Sequence, residues 1–336
     1  MSLNFEQQRK ILLINLGSAS EVLLTTPVLR ILRQVAGDSH FVFVADSEAQ
    51  EIIGTNSDLD EVLIKDQEEI LEVHKQGKTT IVNSFKGLLK ELKARKFDLV
   101  IDFTGSLATG LAAVVAGGKR VGLASGLTGL CYNKKLTVEP NLFLVEQYLQ
   151  LLTKLGIEPA KYQTEFKVAI TDKEEDYVKR LLERYRIGEE ESLVAINLAD
   201  QEGQLTTLQA VQLGDWLAER YDRVLLLGGK EERYQVTQIV NKMKGQALNL
   251  VGNLTRLELG ALLKEIDLVI TPNGILSHLA VVQESAVISL FGSGEPGRVG
   301  PYRGNNLVIK SSSDDLEEIE VETITEFVEM NLVEKH

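Results

Sequence analysis

The chain reads Lys10-Ile11-Leu12-Leu13-Ile14-Asn15-Leu16 and then, after Gly17, Ser18-Ala19-Ser20-Glu21-Val22-Leu23-Leu24-Thr25-Thr26-Pro27. A short apolar run closed by a glycine predicts a buried strand, and the amphipathic stretch after it, to about residue 34, predicts a helix. A second apolar run over 40–45 completes strand, helix, strand. The alternation continues through 61–64, a helical spacing over 80–95 and a strand over 97–103. Strands and helices in this rhythm build a parallel sheet with helices on both faces.

Leu142, Val145, Leu149, Leu152 and Leu155 lie three or four apart, so 141–156 reads as an amphipathic helix with Gly156 as its C-cap. A charged helix over 172–186 precedes a second series of strands at 193–197, 223–227, 247–250, 268–270 and 286–291. A chain of 336 residues suits two domains. The expected division is 1–165 and 166–336, with the linking region near 157–175. In the tail, 314–332, Ile324, Phe327, Val328 and Leu332 share one helical face, so the tail should dock.

Apolar residues make up 44% of the chain and charged ones 25%, as in a globular protein. Thirty-six basic against 49 acidic residues give a net charge of −13, which repels a polyphosphate backbone and excludes nucleic acid as a partner. A small anion held at a helix N-terminus remains compatible with that field. The only cysteine, Cys131, permits no intrachain disulfide and suggests a reducing compartment. The N-terminus lacks a signal-peptide core and no apolar run reaches 18 residues, so a cytoplasmic protein is expected. His40, His74, His278 and His336 are scattered without ligand spacing, so no metal and no cofactor is expected.

Three stretches carry candidate chemistry. In the first βα turn, Glu21 would sit at the carboxyl end of a strand, where a general base could face a ligand. Ser18-x-x-Glu21 is also a capping box, the simpler reading. Phe291-Gly292-Ser293-Gly294-Glu295-Pro296-Gly297-Arg298 follows the last long strand, with glycines for close backbone approach and a guanidinium for a phosphate; the alternative is an ordinary surface turn. Between them, 268–272 runs into a helix expected to begin at Asn273, followed by Gly274 and, one turn in, His278. Asn273 is a good N-cap and His278 could equally be a satisfied core histidine. There is no G-x-G-x-x-G, and a nicotinamide-dependent oxidoreductase is set aside on that ground.

The order "LG…EVLLTTPVLRILR", "FDLVIDFTGSL", "LLLGGKEER", "NLTRLELGALLKEIDLVI", "HLA" and "ISLFGSGEPGRVGPY" resembles the ADP-heptose:lipopolysaccharide heptosyltransferases of glycosyltransferase family nine, over nearly the whole chain. The resemblance implies a GT-B fold: two Rossmann-like, doubly wound α/β domains facing a cleft, the C-terminal helix packing back toward the first domain. It implies metal-independent, inverting transfer of a sugar from a nucleotide donor, ADP-heptose or related, to a glycolipid or polysaccharide acceptor in lipopolysaccharide synthesis. Such an enzyme would be cytoplasmic and at most peripheral at the inner face of the inner membrane.

Glu21 takes the place of the family's base, an Asp preceded by Gly where this chain has Ser20. Asn273, Gly274 and His278 align with a donor helix that begins Asp-Ser/Thr-Gly in the family, and only the His is kept. Glu232 matches a family glutamate that binds the nucleoside, and Gly292, Gly294 and Arg298 complete the donor set. The family's diphosphate-neutralising Lys has no counterpart in 197–207. A catalytically degenerate homologue that binds a sugar nucleotide or a protein without turnover is the competing reading.

Overall fold

The computed structural model describes residues 9–65, 86–139, 141–302, 304 and 306–332. The chain forms two compact units, Met1–Ala169 and Ile170–His336. Each is built on a six-stranded, all-parallel sheet.

The first sheet runs β3-β2-β1-β4-β5-β6, from β1 (Lys10–Asn15), β2 (His40–Asp46), β3 (Glu61–Lys65), β4 (Leu99–Asp102), β5 (Lys119–Ala124) and β6 (Lys134–Thr137). Its helices are α1 (Ala19–Leu23), α2 (Thr26–Val35), α3 (Gln50–Ile53), α4 (Lys86–Arg95), α5 (Leu107–Ala116) and α6 (Leu144–Leu155). Every residue from Ile11 to Asn15 is buried, as a strand covered on both faces requires.

The second sheet repeats that order as β11-β10-β7-β12-β13-β14: β7 (Leu193–Asn197), β10 (Arg223–Leu227), β11 (Ala247–Asn249), β12 (Leu268–Pro272), β13 (Ala286–Phe291) and β14 (Asn306–Lys310). A small hairpin, β8 (Ala199–Asp200) and β9 (Gly203–Gln204), follows β7. The helices are α7 (Asp172–Arg184), α8 (Thr207–Ala218), α9 (Arg233–Lys242), α10 (Arg256–Leu263), α11 (Ile275–Val282), α12 (Pro296–Val299) and α13 (Val321–Leu332). Ile324 and Val328 of α13 are buried in the second unit's own core, with Phe327 packed beside them. In both sheets the order reverses beside the first strand, the switch point where open α/β sheets bind ligands.

The structure departs from the sequence reading at several points. The first helix is two, because Pro27 has no N–H to offer Leu23; the Thr26 hydroxyl bonds that carbonyl instead, at 2.8 Å. Helix α5 and strands β5, β6 and β14 went unread; α5 is apolar on nearly every side and shows no helical stripe. Helix α11 starts at Ile275, because the Asn273 backbone N–H bonds Leu290 O at 2.8 Å and ties Asn273 to β13 just past the end of β12. Residues 80–85 of the expected 80–95 helix, and His74 and His336, lie outside the described residues.

Candidate functional site

At the second unit's switch point, Asn197 Nδ2 donates to Thr271 Oγ1 at 3.0 Å, tying the end of β7 to the end of β12. The β8–β9 hairpin then folds against the amino end of α11. The Asp200 carboxylate accepts the backbone N–H of Ile275 at 3.2 Å and of Leu276 at 3.1 Å. A Cβ on Gly274 would overlap that carboxylate. Two residues on, Glu202 Oε2 accepts the Gly294 N–H at 2.8 Å, and a Cβ on Gly294 would overlap Glu202 in the same way. A Cβ on Gly292 would come within 3.3 Å of Glu202 O. Gly294, expected to admit a phosphate, therefore admits the Glu202 carboxylate, as Gly274 admits that of Asp200, whereas Gly292 faces backbone carbonyls.

Burial pushes the Asp200 carboxyl above the usual carboxylate range, while the amides of Leu276, Gln201 and Ile275 pull the other way. The acid is held by the helix's exposed N–H groups and dipole, the physics that holds a phosphate.

Asn273 is buried and does not cap α11 with its side chain: its Oδ1 accepts from Ser277 Oγ at 3.1 Å, its backbone O from Glu202 N at 3.0 Å. His278 is buried as well, with Nε2 3.1 Å from Val299 O. A carbonyl only accepts, so Nε2 carries the proton; burial draws the imidazole down to about 4 and keeps it neutral. Arg298 is half-buried, and its Nε has no hydrogen-bond partner among the described residues. Asn273, Gly274, His278, Gly292, Gly294 and Arg298 thus gather around one loop-and-helix junction. Glu232 stands apart from it, at the N-cap of α9 beside the Gly228-Gly229 turn.

Helix α9 meets the hairpin through Gln235, which accepts from Gln204 Nε2 at 2.7 Å and donates to Leu205 O at 2.6 Å. Here a cavity of about 300 Å³ opens, lined by Glu202, Asp314, Asp315 and Glu317 and, among the described residues, by no lysine or arginine.

In the first unit Glu21 is a capping residue: Ser18 N donates to Glu21 Oε2 at 3.0 Å and Glu21 N to Ser18 Oγ at 3.3 Å. Across the switch point, at the end of β4, Asp102 is fully buried. Its Oδ1 accepts from Thr104 N at 2.9 Å and Gly105 N at 3.1 Å, and its Oδ2 from Tyr132 Oη at 2.7 Å. Asp200, Glu202 and Asp102 were missed as site residues. The first two had one signal in the sequence: 197–207 holds two acids and no lysine or arginine.

Two doubly wound units with this strand order define a GT-B fold, shared with heptosyltransferases of known structure. A family model described as "Glycosyltransferase family 9 (heptosyltransferase)" matches residues 86–327, and the chain belongs to that family. The glycosyl transferase family 9 structure from Veillonella parvula DSM 2008 is 19% identical at a TM-score of 0.82, with 99% of each chain covered. The E. coli heptosyltransferase WaaC with ADP is 20% identical at a TM-score of 0.74, covering 96% of this chain and 99% of that one. E. coli ADP-heptose lps heptosyltransferase II is 16% identical at 0.73, covering 97% and 99%. A search of curated protein sequences found no match. No helix among the described residues is long and apolar enough to cross a membrane.

Proposed function

We propose that this chain transfers a sugar from a nucleotide donor, ADP-heptose or a related sugar nucleotide, to a glycolipid or polysaccharide acceptor of the cell envelope. The chemistry is inverting and metal-independent. The observation that carries this reading is that the amides of Ile275, Leu276 and Gly294 already hold anions, the carboxylates of Asp200 and Glu202. A donor diphosphate has the same requirement and takes their place as the hairpin swings aside.

In this scheme Glu21 removes the acceptor hydroxyl's proton as that oxygen attacks the anomeric carbon opposite the leaving diphosphate. A carboxylate has about four lone-pair sites, so bonding the Ser18 amide does not stop it from accepting a proton. The dipole of α11 and Arg298 stabilise the leaving charge, and Glu232 holds the nucleoside. WaaC, a structural neighbour, has been solved with ADP and with ADP-2-deoxy-2-fluoro heptose, consistent with an adenine donor here.

Asp200 and Glu202 also favour a second reading, a homologue that no longer turns over because its donor amides are permanently taken. Calorimetry with nucleoside diphosphates and their sugar conjugates, followed by a transfer assay on those that bind, separates the two. Binding with transfer supports the first reading and binding without transfer the second. If no diphosphate binds at millimolar concentration, this donor site is not one.

A further inference from the structure

Between Phe103 and Val138 the chain holds Lys119, Arg120, Lys134 and Lys135 and not one Asp or Glu. With 49 acids in 336 residues, about five would be expected in those 36. The stretch carries +4 in a chain of −13, leaving −17 for the rest.

The same stretch exposes apolar side chains. Leu127 is 75% exposed and Leu130 83%, while Leu107 and Val114 of α5 are 42% and 43% exposed. Leu127 and Leu130 lie in a 3₁₀ turn, Gly126–Cys131, with three residues per turn, so the two leucines project from the same side.

The turn is fastened at several points. Thr128 Oγ1 bonds Ser125 O at 3.0 Å, Arg120 Nε bonds Cys131 O at 2.8 Å, and a Cβ on Gly110 of α5 would meet Cys131 Sγ at 2.9 Å. Lys135 lies alongside, its Nζ 3.1 Å from where a Cβ on Gly129 would stand. A fixed scaffold is presenting two leucines outward, with cations beside them.

The geometry points to this face, the Gly126–Cys131 turn with the exposed side of α5, as a docking surface for an anionic phospholipid bilayer. Leucines that enter the headgroup–acyl boundary bury apolar area, and nearby lysines and arginines are drawn to acidic headgroups. Charge complementarity selects the occupant: this stretch carries +4 while the rest of the chain sums to −17, so an anionic membrane attracts this face against the chain's overall charge. An acidic protein would be drawn to the cations but gives no reason for two leucines to stand clear of the fold. The inference does not depend on the donor site and would stand if that reading failed.

The test is co-sedimentation of the full chain with vesicles of phosphatidylcholine containing one-third phosphatidylglycerol, and with phosphatidylcholine alone. The chain should pellet with the anionic vesicles at low salt, stay in solution with the neutral ones, and be released by high salt. Leu127→Ser with Leu130→Ser should lower the partition coefficient on the order of tenfold or more, since two side chains lose their apolar burial. Lys119→Glu with Lys135→Glu should abolish the lipid dependence. Met330→Ser, which removes an equally exposed apolar side chain from the second unit, should change nothing. A wild-type chain that stays in solution with anionic vesicles overturns the proposal, and so does a double leucine variant that pellets as the wild type does.

Discussion

The Asp200 carboxylate lies 3.1 Å from the backbone nitrogen of Leu276 and caps, from another strand's loop, a helix whose own N-cap is Gly274. Glycine offers no side chain to the exposed amides, so the cap has to come from elsewhere. Asp200→Ala should therefore destabilise the chain by about 0.5–2 kcal/mol. With ADP at a saturating concentration the deficit should shrink, because the diphosphate now holds the amides that Asp200 released. Melting temperatures of both proteins with and without ADP check this; a deficit unchanged by the nucleotide would show that nothing replaces the carboxylate there.

Glu21 has two proposed tasks, and different substitutions separate them. Glutamine at the third helical position still reaches back to the N-cap amide, so Glu21→Gln should shift stability by less than about 0.5 kcal/mol. Glu21→Ala removes the reach-back to Ser18 and should cost about 0.5–2 kcal/mol. Neither side chain accepts a proton, so transfer should fall by about 10² to 10⁴ in both. Equal turnover in Glu21→Gln and the wild type would leave Glu21 as a cap alone.

Asp102 depends on Tyr132. Burial lifts the Asp102 carboxyl above its ordinary range, and the 2.7 Å bond from the Tyr132 hydroxyl is the foremost influence opposing that rise. Tyr132→Phe keeps the ring against Gly122 and removes only that donor. One buried carboxylate oxygen then loses its partner, at a cost of about 1–3 kcal/mol in urea denaturation. A loss within measurement error would mean that Asp102 is neutral and needs no donor.

Much of this was legible in the sequence, and what was not has physical causes. Ile11 to Ile14 and Val194 to Ile196 announce buried strands because a parallel sheet covered on both faces needs unbroken apolar runs. Ser18 and Glu21 announce a capping box because the whole motif lies within four residues. Asn273 misled because its cap propensity is local, whereas the bond from its amide to Leu290, which ties it to β13 just past the end of β12, is tertiary. The partnership of Asp200 with Leu276 joins residues 76 positions apart, and no spacing rule could supply it. What the sequence did contain was a loop, 197–207, with two acids and no cation; only the fold reveals that those acids sit on amides.

His278 sets an acid limit to stability. Its imidazole titrates at about 4 in the folded chain, against about 6.5 in an unfolded one, because burial disfavours the cation. Between those values the unfolded chain binds more protons, so stability rises with pH across the window. The contribution is present above about pH 6.5 and is lost as pH falls through 4, in all on the order of 2–4 kcal/mol. Asp102 and Asp200 work in the opposite sense: their carboxyls are raised, so the folded chain takes up protons more readily than the unfolded one and gains stability on acidification. The histidine's share must therefore be read as a difference between proteins. His278→Gln keeps an N–H donor for Val299 O but does not titrate, so its stability at neutral pH should lie below or near the wild type's and decline less between pH 6.5 and 4. Urea denaturation of both proteins across that range measures the difference in slope, and parallel curves would mean that His278 is not held neutral by its burial.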